Sequence, residues 1–390
     1  MFDFIFGKSH GNKIIAVADI GSGSAAVAII ALEAHGQSRV IAAHRSFLSY
    51  EERTEEATIA GIAANLSEAG QKTLAMYANS PYKGTRLSGV YGIIRAPWTQ
   101  SKTVRSSSLF TKETLITNNV VNGMAQNIIA NDTGLDHAHI IESSVVRVEL
   151  NGYPTARPMG KSAHGIAVAV LLSDCNPRMH TSVVDVLGRT FVGKKPLIRS
   201  GARALIGGMH DVSTLSGGSS DYVIVDVESE ITNILVVREG LTTDHAIVPE
   251  GVRTILKRIS EKRMPEETLS LIRMIERNEC SGDACDTITK EMAQAETDLV
   301  GIFVKAFTTL GTPLRLPTLC ILITHPDIAP WLAAFFSRID FTQCTLSSRP
   351  FSVHVLTAHD MSHGVVPENG VVADIELLVA CTLVNIEARA

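Results

Sequence analysis

The sequence predicts an α/β protein made of two similar domains. Its 390 residues exceed what one ordinary hydrophobic core can hold. With 45% hydrophobic and 19% charged residues, the chain can bury enough apolar surface to fold, which excludes a disordered protein. One apolar stretch, residues 15–30, matches residues 222–237 without a gap. Two copies of one starting unit indicate an old duplication.

Composition and charge narrow the classes of function. A net charge of -5 provides no concentrated basic face, which argues against nucleic acid as a partner. The apolar residues 165–173 fall short of the roughly 20 residues that cross a bilayer. The cysteines form no framework typical of small secreted domains, which predicts a reducing cytoplasm. Cys280 and Cys285 could form half of a metal site, but the sequence contains no second pair of ligands to complete it. They are therefore interpreted as buried or incidental thiols, and no metal site is predicted.

Both copies of the repeat read as a strand, a tight polar turn and a second strand. Asp19 ends the first apolar run, and Asp226 ends the matching run in the second copy. Turn residues between two β-branched runs are typical of a β-hairpin. After the second hairpin, residues 252–263 and 266–277 have apolar side chains at helical spacing. Each half is therefore expected to open with a hairpin and to continue with mixed α/β structure.

The segment between the two hairpins predicts a further α/β unit. Residues 87–98 read as a strand, residues 111–130 as a helix, and the alternating residues 140–150 as a second strand. A turn at residues 151–154 then precedes an apolar strand at residues 165–172.

Duplicated domains that each open with an aspartate in a β-hairpin resemble the actin, Hsp70 and sugar-kinase superfamily. The middle segment, which contains ELNGYPTARPMGKSAHGIAVAVLLS, is similar to the insertion that FtsA and PilM carry and that actin and Hsp70 lack. This resemblance covers nearly the whole chain. It implies an α/β fold of duplicated actin-like (ribonuclease H-like) domains with an inserted SHS2-type subdomain. The implied division is 1–86 and 176–219 for the first domain, 87–175 for the insertion, and 220–390 for the second domain, with a reduced helical insertion at about 256–315.

The resemblance also implies that ATP, together with Mg²⁺, lies between the two hairpins. In that superfamily the N–H groups of the turns bind phosphates, glycine permits the close approach, and the aspartates act through Mg²⁺ and water. The implied nucleotide-binding residues lie in and beside the two turns: Asp19, Gly21, Ser22, Gly23, Ser24, Asp226, Ser229 and Thr232. The first turn keeps the family pattern. No catalytic residue is assigned.

The second turn departs from that pattern, because its three glycines are replaced by Glu-Ser-Glu after Asp226-Val. Glu228 and Glu230 bring carboxylates to the place of the phosphates, where a like-charge contact near 4 Å costs about 4 kcal/mol. We expect these carboxylates either to turn outward or to be bridged by a divalent cation. The turn at the adenine position carries His325 and Pro326 in place of glycines, and is interpreted as a capped turn. These changes predict a degenerate ATP site and argue against an active ATPase.

The sequence alone leaves other classes of protein open. Gly21, Gly23 and Ala26 match the dinucleotide fingerprint, but the next strand, residues 40–44, ends without the acidic residue that this fingerprint requires. An active ATP-dependent kinase or ATPase of the same superfamily would need intact phosphate turns in both halves. An Hsp70-like chaperone would need a β-rich peptide-binding domain after the ATPase, which we do not expect in this chain.

The preferred interpretation is an FtsA/PilM-type scaffold that acts in bacterial cell division or type IV pilus assembly at the inner membrane. The resemblance implies a cytoplasmic protein at the inner face of that membrane, with division or pilus assembly proteins as partners and with self-association. Phe2, Phe4, Ile5 and Phe6 are interpreted either as folding back on the protein or as a membrane or partner contact. A C-terminal membrane helix of the FtsA kind is not expected after the apolar residues 375–384.

Overall fold

The computed structural model describes residues 13–33, 37–49, 53–209, 220–260, 263–312 and 314–389. These residues form three β-sheets with helices packed against them. The strands are β1 (Lys13–Ile20), β2 (Ser24–Leu32), β3 (Ser38–Phe47), β4 (Leu87–Ile94), β5 (Thr99–Leu115), β6 (Ile140–Leu150), β7 (Tyr153–Pro154), β8 (Ser162–Cys175), β9 (Leu197–Ser200), β10 (Tyr222–Val227), β11 (Thr232–Arg238), β12 (Leu241–Val248), β13 (Leu319–Ile323), β14 (Ser352–Val355) and β15 (Val365–Pro367). The α-helices are α1 (Glu55–Ala78), α2 (Asn118–Asn131), α3 (Pro177–Thr190), α4 (Gly201–Gly208), α5 (Val252–Ile259), α6 (Pro265–Glu276), α7 (Asp283–Gly311), α8 (Ala329–Phe336) and α9 (Ile375–Arg389).

The two larger sheets repeat one topology. The first has the order β15-β3-β2-β1-β4-β9 and the second β12-β11-β10-β13-β14, so each has an antiparallel hairpin unit followed by two parallel strands. The hairpins also share one register, because Asp19 pairs with Ala26 and Asp226 pairs with Asn233. These pairs occupy equivalent positions of the sequence repeat. The structure therefore confirms two similar domains, each opened by a hairpin.

The insertion forms the third sheet, with the order β5-β8-β6-β7 and with α2 packed on one face. Alternate side chains of β8, including Val168 and Val170, form its small core together with Val121 and Ile128 of α2. The opposite side of the unit contacts the first domain, since the carboxylate of Glu142 accepts hydrogen bonds from the N–H and hydroxyl of Ser200 at 3.2 and 2.9 Å. That this unit is of the SHS2 type stays a prediction.

Strand pairing shifts the start of the insertion from the expected position. The insertion was expected from residue 87, but Leu87–Ile94 is a parallel neighbour of β1 in the first sheet. The third sheet begins only at Thr99. The helix expected at residues 111–130 also begins later, at Asn118, because Thr114 and Leu115 still pair with β8. A local apolar pattern shows that a strand exists, but not which sheet it joins.

The chain returns to the first domain near its end, which the expected second domain at 220–390 did not include. β15 pairs with β3, and α9 packs against α4 and β1. Leu378, Cys381 and Val384 of α9 share one hydrophobic core with Val17 of β1 and Ile224 of β10. This core therefore joins both large sheets. The reason is that an almost wholly apolar helix is best buried between two surfaces.

Helices and aromatic side chains cover the second sheet. Phe303 and Phe307 of α7 contact the aromatic rings of α8, and Phe303 meets Phe336 edge-on with ring centroids 5.0 Å apart. α8 is thus a packed helix. No helix in the described residues combines the length and the apolar character needed to cross a bilayer.

Cys280 and Cys285 form a disulfide, with their Cα atoms 5.8 Å apart. Their interpretation as buried or incidental thiols is therefore wrong. The two residues flank the turn that leads into α7, and this turn brings their side chains into the normal range for a disulfide. Sequence spacing alone does not show such a pairing. The remaining cysteines are free and buried: Cys175, Cys320, Cys344 and Cys381.

Candidate functional site

The turns that follow β1 and β10 lie face to face, as the repeat predicts. The Ser22 N–H donates a hydrogen bond of 2.8 Å to Oε2 of Glu228. The Ser22 hydroxyl in turn accepts a hydrogen bond of 3.0 Å from the Glu230 N–H. The two domains are therefore bonded directly to each other at the place where the resemblance puts the phosphates.

Gly21 and Gly23 permit this close approach. A Cβ atom on Gly23 would lie 2.6 Å from the hydroxyl oxygen of Ser229 and 2.8 Å from its Cβ, closer than real Cβ atoms approach other groups. A Cβ atom on Gly21 would lie 3.1 Å from Oε2 of Glu228. The resemblance assigns these glycines to phosphate binding. In the structure they make room for the second turn.

Arg95, which follows β4, bridges the two domains from a buried position. Its side chain is 4% exposed and forms ion pairs with Asp226 and, at 3.2 Å, with Glu228 of the second turn. It also lies 3.2 Å from Glu376 at the start of α9 and 3.7 Å from Asp19 of the first turn. One guanidinium group thus contacts both turns and the C-terminal helix.

Arg45 of β3 holds the first turn to the C-terminal helix. It donates hydrogen bonds of 2.7 Å to Oδ2 of Asp19 and to the hydroxyl of Ser24. It also donates two hydrogen bonds, both of 2.7 Å, to the carboxylate of Asp374. The Glu376 carboxylate is 3.3 Å away. Such bidentate charge-assisted bonds are among the strong ones in proteins.

The cluster contains more carboxylates than guanidinium groups. Arg45 and Arg95 face the carboxylates of both turns and of the start of α9: Asp19, Asp226, Glu228, Asp374 and Glu376. Burial raises the pKa of Glu376 to about 7 and the pKa of Glu228 well above its usual value. Burial acts on Asp374 as well, but the charge of Arg45 outweighs it and lowers the pKa of that carboxyl. The excess of carboxylates therefore favours a bound proton in this cluster near neutral pH.

The two glutamates of the second turn follow neither arrangement that the sequence analysis expected. Glu228 is 2% exposed and points toward the first turn, where a backbone N–H and Arg95 bind it. Glu230 pairs with Arg253 of α5 at 2.7 Å, and the same guanidinium donates to the Ser49 carbonyl at 3.2 Å. Arginines that are distant in sequence thus neutralise both carboxylates, which removes the need to turn outward.

Two further predicted residues, Ser229 and Thr232, belong to the second turn and the strand that follows it. Ser229 faces Gly23, and its carbonyl accepts a hydrogen bond of 2.9 Å from the N–H of Arg253. Thr232 is fully buried, and its hydroxyl donates a hydrogen bond of 2.5 Å to the Glu250 carbonyl. Thr232 therefore supports the second turn from within its own domain, whereas the remaining predicted residues lie at the contact between the turns.

The turn expected at the adenine position follows β13 and begins α8. The His325 carbonyl accepts hydrogen bonds of 3.1 Å from the N–H groups of Ile328 and Ala329. Asp327 forms an ion pair of 3.1 Å with Arg273 of α6. Burial lowers the pKa of His325, which favours the neutral imidazole. These contacts agree with the interpretation of this segment as a capped turn.

Four residues of the cluster are not among those predicted from the sequence: Arg45, Arg95, Asp374 and Glu376. Two signals were present. Arg45 lies just after the apolar run of β3 at residues 40–43, and Arg95 directly follows the strand β4. A lone arginine at such a position needs a carboxylate partner, because burying an unpaired charge is costly. The identity of the partners could not be read from the sequence.

Phe2, Phe4, Ile5 and Phe6, the predicted membrane or partner contact, lie outside the described residues. Their role stays a prediction.

Comparison with known proteins relates the chain to solved structures only, since no family model and no curated protein matches it. A structure described as the PilM-PilN type IV pilus biogenesis complex is similar over 98% of this chain and 100% of that chain, at 10% identity and a TM-score of 0.59. The ethanolamine utilization protein EutJ from Carboxydothermus hydrogenoformans is similar over 96% and 89%, at 13% identity and a TM-score of 0.45. A glycerol dehydratase reactivase is similar over 97% and 100%, at 10% identity and a TM-score of 0.48.

At these identities the likeness establishes the fold. The chain has the actin-like ATPase fold that the resemblance implies, and the likeness to the PilM-PilN structure covers 98% of this chain.

Proposed function

We propose that this protein is an actin-like scaffold of the PilM type that acts in type IV pilus assembly, at the inner face of a bacterial inner membrane, without binding ATP. One observation carries the proposal. The Glu228 carboxylate accepts the Ser22 N–H, a group of the kind that binds a phosphate in turns of this shape. A side chain of the protein thus supplies the negative charge that a nucleotide would bring.

ATP would have to separate the two turns in order to bind between them. Displacing Glu228 from Ser22 breaks a hydrogen bond to a charged group, which contributes about 1.5–3 kcal/mol. Each phosphate that then lies near one of the remaining carboxylates adds a repulsion of about 4 kcal/mol at 4 Å. Because both effects oppose binding, the site favours the closed, nucleotide-free arrangement.

Mg²⁺ does not fit the two aspartates that the resemblance assigns to it. Oδ2 of Asp19 binds Arg45 at 2.7 Å, and Asp226 binds Arg95. A divalent cation at these oxygens would have to displace a guanidinium group or lie beside it. Mg²⁺ also requires a nearly octahedral shell of oxygen ligands. In the proposed scaffold the aspartates instead belong to the ion-pair network that joins the domains.

A closed cleft suits a scaffold better than an enzyme. The network connects the first turn, the second turn and α9, and so fixes the relative position of the two domains without turnover. We take the pilus role, rather than cell division, from the full-length likeness to the PilM-PilN structure. Its protein partners are accordingly proposed to be components of such an assembly, and the third sheet to be the SHS2-type unit.

Isothermal titration calorimetry with Mg-ATP tests the proposed closed cleft. The parent protein is expected to show no binding at micromolar nucleotide. Glu228→Gly/Glu230→Gly restores glycine at two of the replaced positions and should bind more tightly, since each 1.4 kcal/mol regained raises affinity tenfold. The same change at two exposed positions of α6, Glu266→Gly/Glu267→Gly, is the control. Micromolar binding by the parent would overturn the nucleotide-free scaffold.

The pilus role has its own test. A tagged full-length protein, isolated from its host with mild detergent, is expected to retain inner-membrane pilus assembly proteins, as identified by mass spectrometry. Recovery of division proteins instead would contradict the assignment.

A further inference from the structure

The cysteines of the chain fall into two groups that differ in burial and in bonding. The four free ones lie in the interior, where Cys175 is 4% exposed and Cys320 and Cys381 are fully buried. Burial raises the pKa of Cys175 and of Cys320 to about 12, and it raises the pKa of Cys381 as well. Because the thiolate is the form that reacts, these buried thiols are shielded from thiol–disulfide chemistry.

The disulfide between Cys280 and Cys285 lies instead in a surface loop of the second domain. Every residue from 276 to 284 is exposed except Cys280, which is half-buried. Cys285, in the first turn of α7, is 8% exposed. A reagent in solution can therefore approach this disulfide from the side of Cys280.

The disulfide constrains the chain locally. Its two cysteines are separated by 5 positions in the sequence. Closing so short a loop removes less conformational entropy from the unfolded chain than a long-range disulfide does, so its contribution to global stability is small. What it does is join the loop that leaves α6 to the first turn of α7.

α6 has few other attachments to the second domain. Of its 12 residues, three are buried, namely Pro265, Thr268 and Ile272, and three further apolar side chains are partly buried. Arg273 forms an ion pair with Asp327, but these side chains are 41% and 23% exposed, and a pair of this kind contributes little. Elements with few buried contacts open locally before the rest of a fold. The disulfide is therefore a principal tie that holds α6 in place.

We propose that the Cys280–Cys285 disulfide is a redox switch, which a dithiol reductant opens and which controls the attachment of α6. The proposed location, at the inner face of a bacterial inner membrane, is a reducing compartment, where the disulfides that do occur are usually transient and redox-sensing. The inference rests on the proposed function for this location, but it does not depend on the chemistry of the cleft.

The exchange with a dithiol takes two steps, each an attack of a thiolate on a sulfur. A thiolate of the reductant attacks Sγ of Cys280, the disulfide bond breaks, and Cys285 leaves as a thiolate. The second thiolate of the reductant then attacks the reductant sulfur of this mixed disulfide, which releases Cys280 as a thiolate. The reductant becomes a cyclic disulfide, and the protein gains two electrons and the two protons that the reductant has lost.

Access decides which sulfur is attacked first. The dipole at the start of α7 favours Cys285 as the leaving thiolate, whereas the carboxylates of Asp283 and Asp286 in the same turn oppose it. Since these effects act against each other, the difference in exposure between Cys280 and Cys285 selects Cys280.

Treatment of the folded full chain with dithiothreitol tests the switch. The reagent is applied at a series of reduced-to-oxidised ratios, free thiols are alkylated, and the modified cysteines are identified by mass spectrometry. Cys280 and Cys285 are expected to open and close reversibly, while the four buried cysteines react only after unfolding. Amide hydrogen exchange of residues 265–276 should become at least about tenfold faster on reduction, and that of α3 should not change. The melting temperature should fall by only about 3 °C, because a short loop is opened in a long chain.

Cysteine variants separate the switch from other effects of the reductant. Cys280→Ser/Cys285→Ser should show the fast exchange of α6 both with and without dithiothreitol. Cys175→Ala removes a buried free thiol and is the control, which should keep the full response of α6. Of the single variants, Cys285→Ser leaves Cys280 free and should react with dipyridyl disulfide at least about tenfold faster than Cys280→Ser, because Cys280 is the more accessible.

The proposal is overturned if the disulfide stays closed in the folded protein at every dithiothreitol ratio, or if its reduction leaves the hydrogen exchange of α6 unchanged. A response of α6 to dithiothreitol in the double variant would also overturn it, since another group would then be responsible. Faster reaction of Cys280→Ser than of Cys285→Ser would refute attack at Cys280. Micromolar ATP binding or recovery of division proteins would instead refute the proposed function and leave the dithiothreitol result standing.

Discussion

Replacing Arg95 by methionine should strongly destabilise the protein, because Arg95 is the cation that both turns share. Its side chain is 4% exposed and serves Asp226, Glu228 and Glu376. Methionine keeps most of the apolar stem, including the atoms packed against Gly201, and removes the charge. What remains is a group of buried carboxylates with one guanidinium fewer.

The size of the effect follows from the imbalance of charge. Removing one partner of a buried ion pair costs about 3–5 kcal/mol, since the other charge stays buried without compensation. Removing a carboxylate from this cluster should cost much less, because carboxylates are in excess. Glu228→Gln keeps an oxygen that can accept the Ser22 N–H and removes one of the excess negative charges, which is the direction that the raised pKa of Glu228 already favours. We expect this variant to change stability by about 1 kcal/mol or less.

Urea denaturation of the full chain at pH 7.5, followed by circular dichroism, measures both variants. Arg39→Met is the matched control, since Arg39 and Glu33 form an exposed pair that contributes at most about 1 kcal/mol. At pH 5 the loss in Arg95→Met should shrink, because the unpaired carboxyls can then take up protons. The reasoning is refuted if Arg95→Met costs no more than Arg39→Met, or if Glu228→Gln costs as much as Arg95→Met.

Three further predictions concern the same interface and its surroundings. Gly23→Ala should destabilise the protein by about 1–3 kcal/mol, because the new Cβ would collide with Ser229. Adding Ser229→Gly should restore much of that loss. If the free-energy changes of the two single variants simply add in the double variant, the two residues are not in contact. Burial raises the pKa of Glu376 from 4.5 to about 7, so the stability that its protonated form contributes is complete below pH 4.5 and is lost as the pH rises to 7. Between pH 4.5 and 7 the free energy of unfolding of Glu376→Gln should therefore rise by on the order of 3 kcal/mol relative to that of the parent. A difference in urea midpoint that stays constant with pH would speak against this prediction. Burial lowers the pKa of His245 from 6.5 to about 4, so the stability that the neutral imidazole contributes is lost as the pH falls through this range. His245→Gln should therefore make the melting temperature less sensitive to acid. An unchanged dependence of the melting temperature on pH would count against a buried neutral imidazole.

The sequence determined the architecture of the two halves because that information is local. A strand, an aspartate, a tight turn and a second strand recur at residues 15–30 and 222–237, and the structure shows the two hairpins in the same register. The replaced glycines of the second turn were equally visible, since turn residues are adjacent in the chain. Such features depend on backbone propensity and on the period of apolar residues, both of which a single sequence contains.

Only the tertiary structure decided what the cleft contains. Arg95 and Asp226, or Arg45 and Asp374, lie far apart in the chain, and each arginine alone was compatible with many partners. Their pairing depends on how the two sheets close over α9, which also decided that the C-terminal helix belongs to the first domain. An ion pair forms between whichever opposite charges the fold brings within a few ångströms, because the Coulomb energy depends on distance and burial and not on position in the sequence.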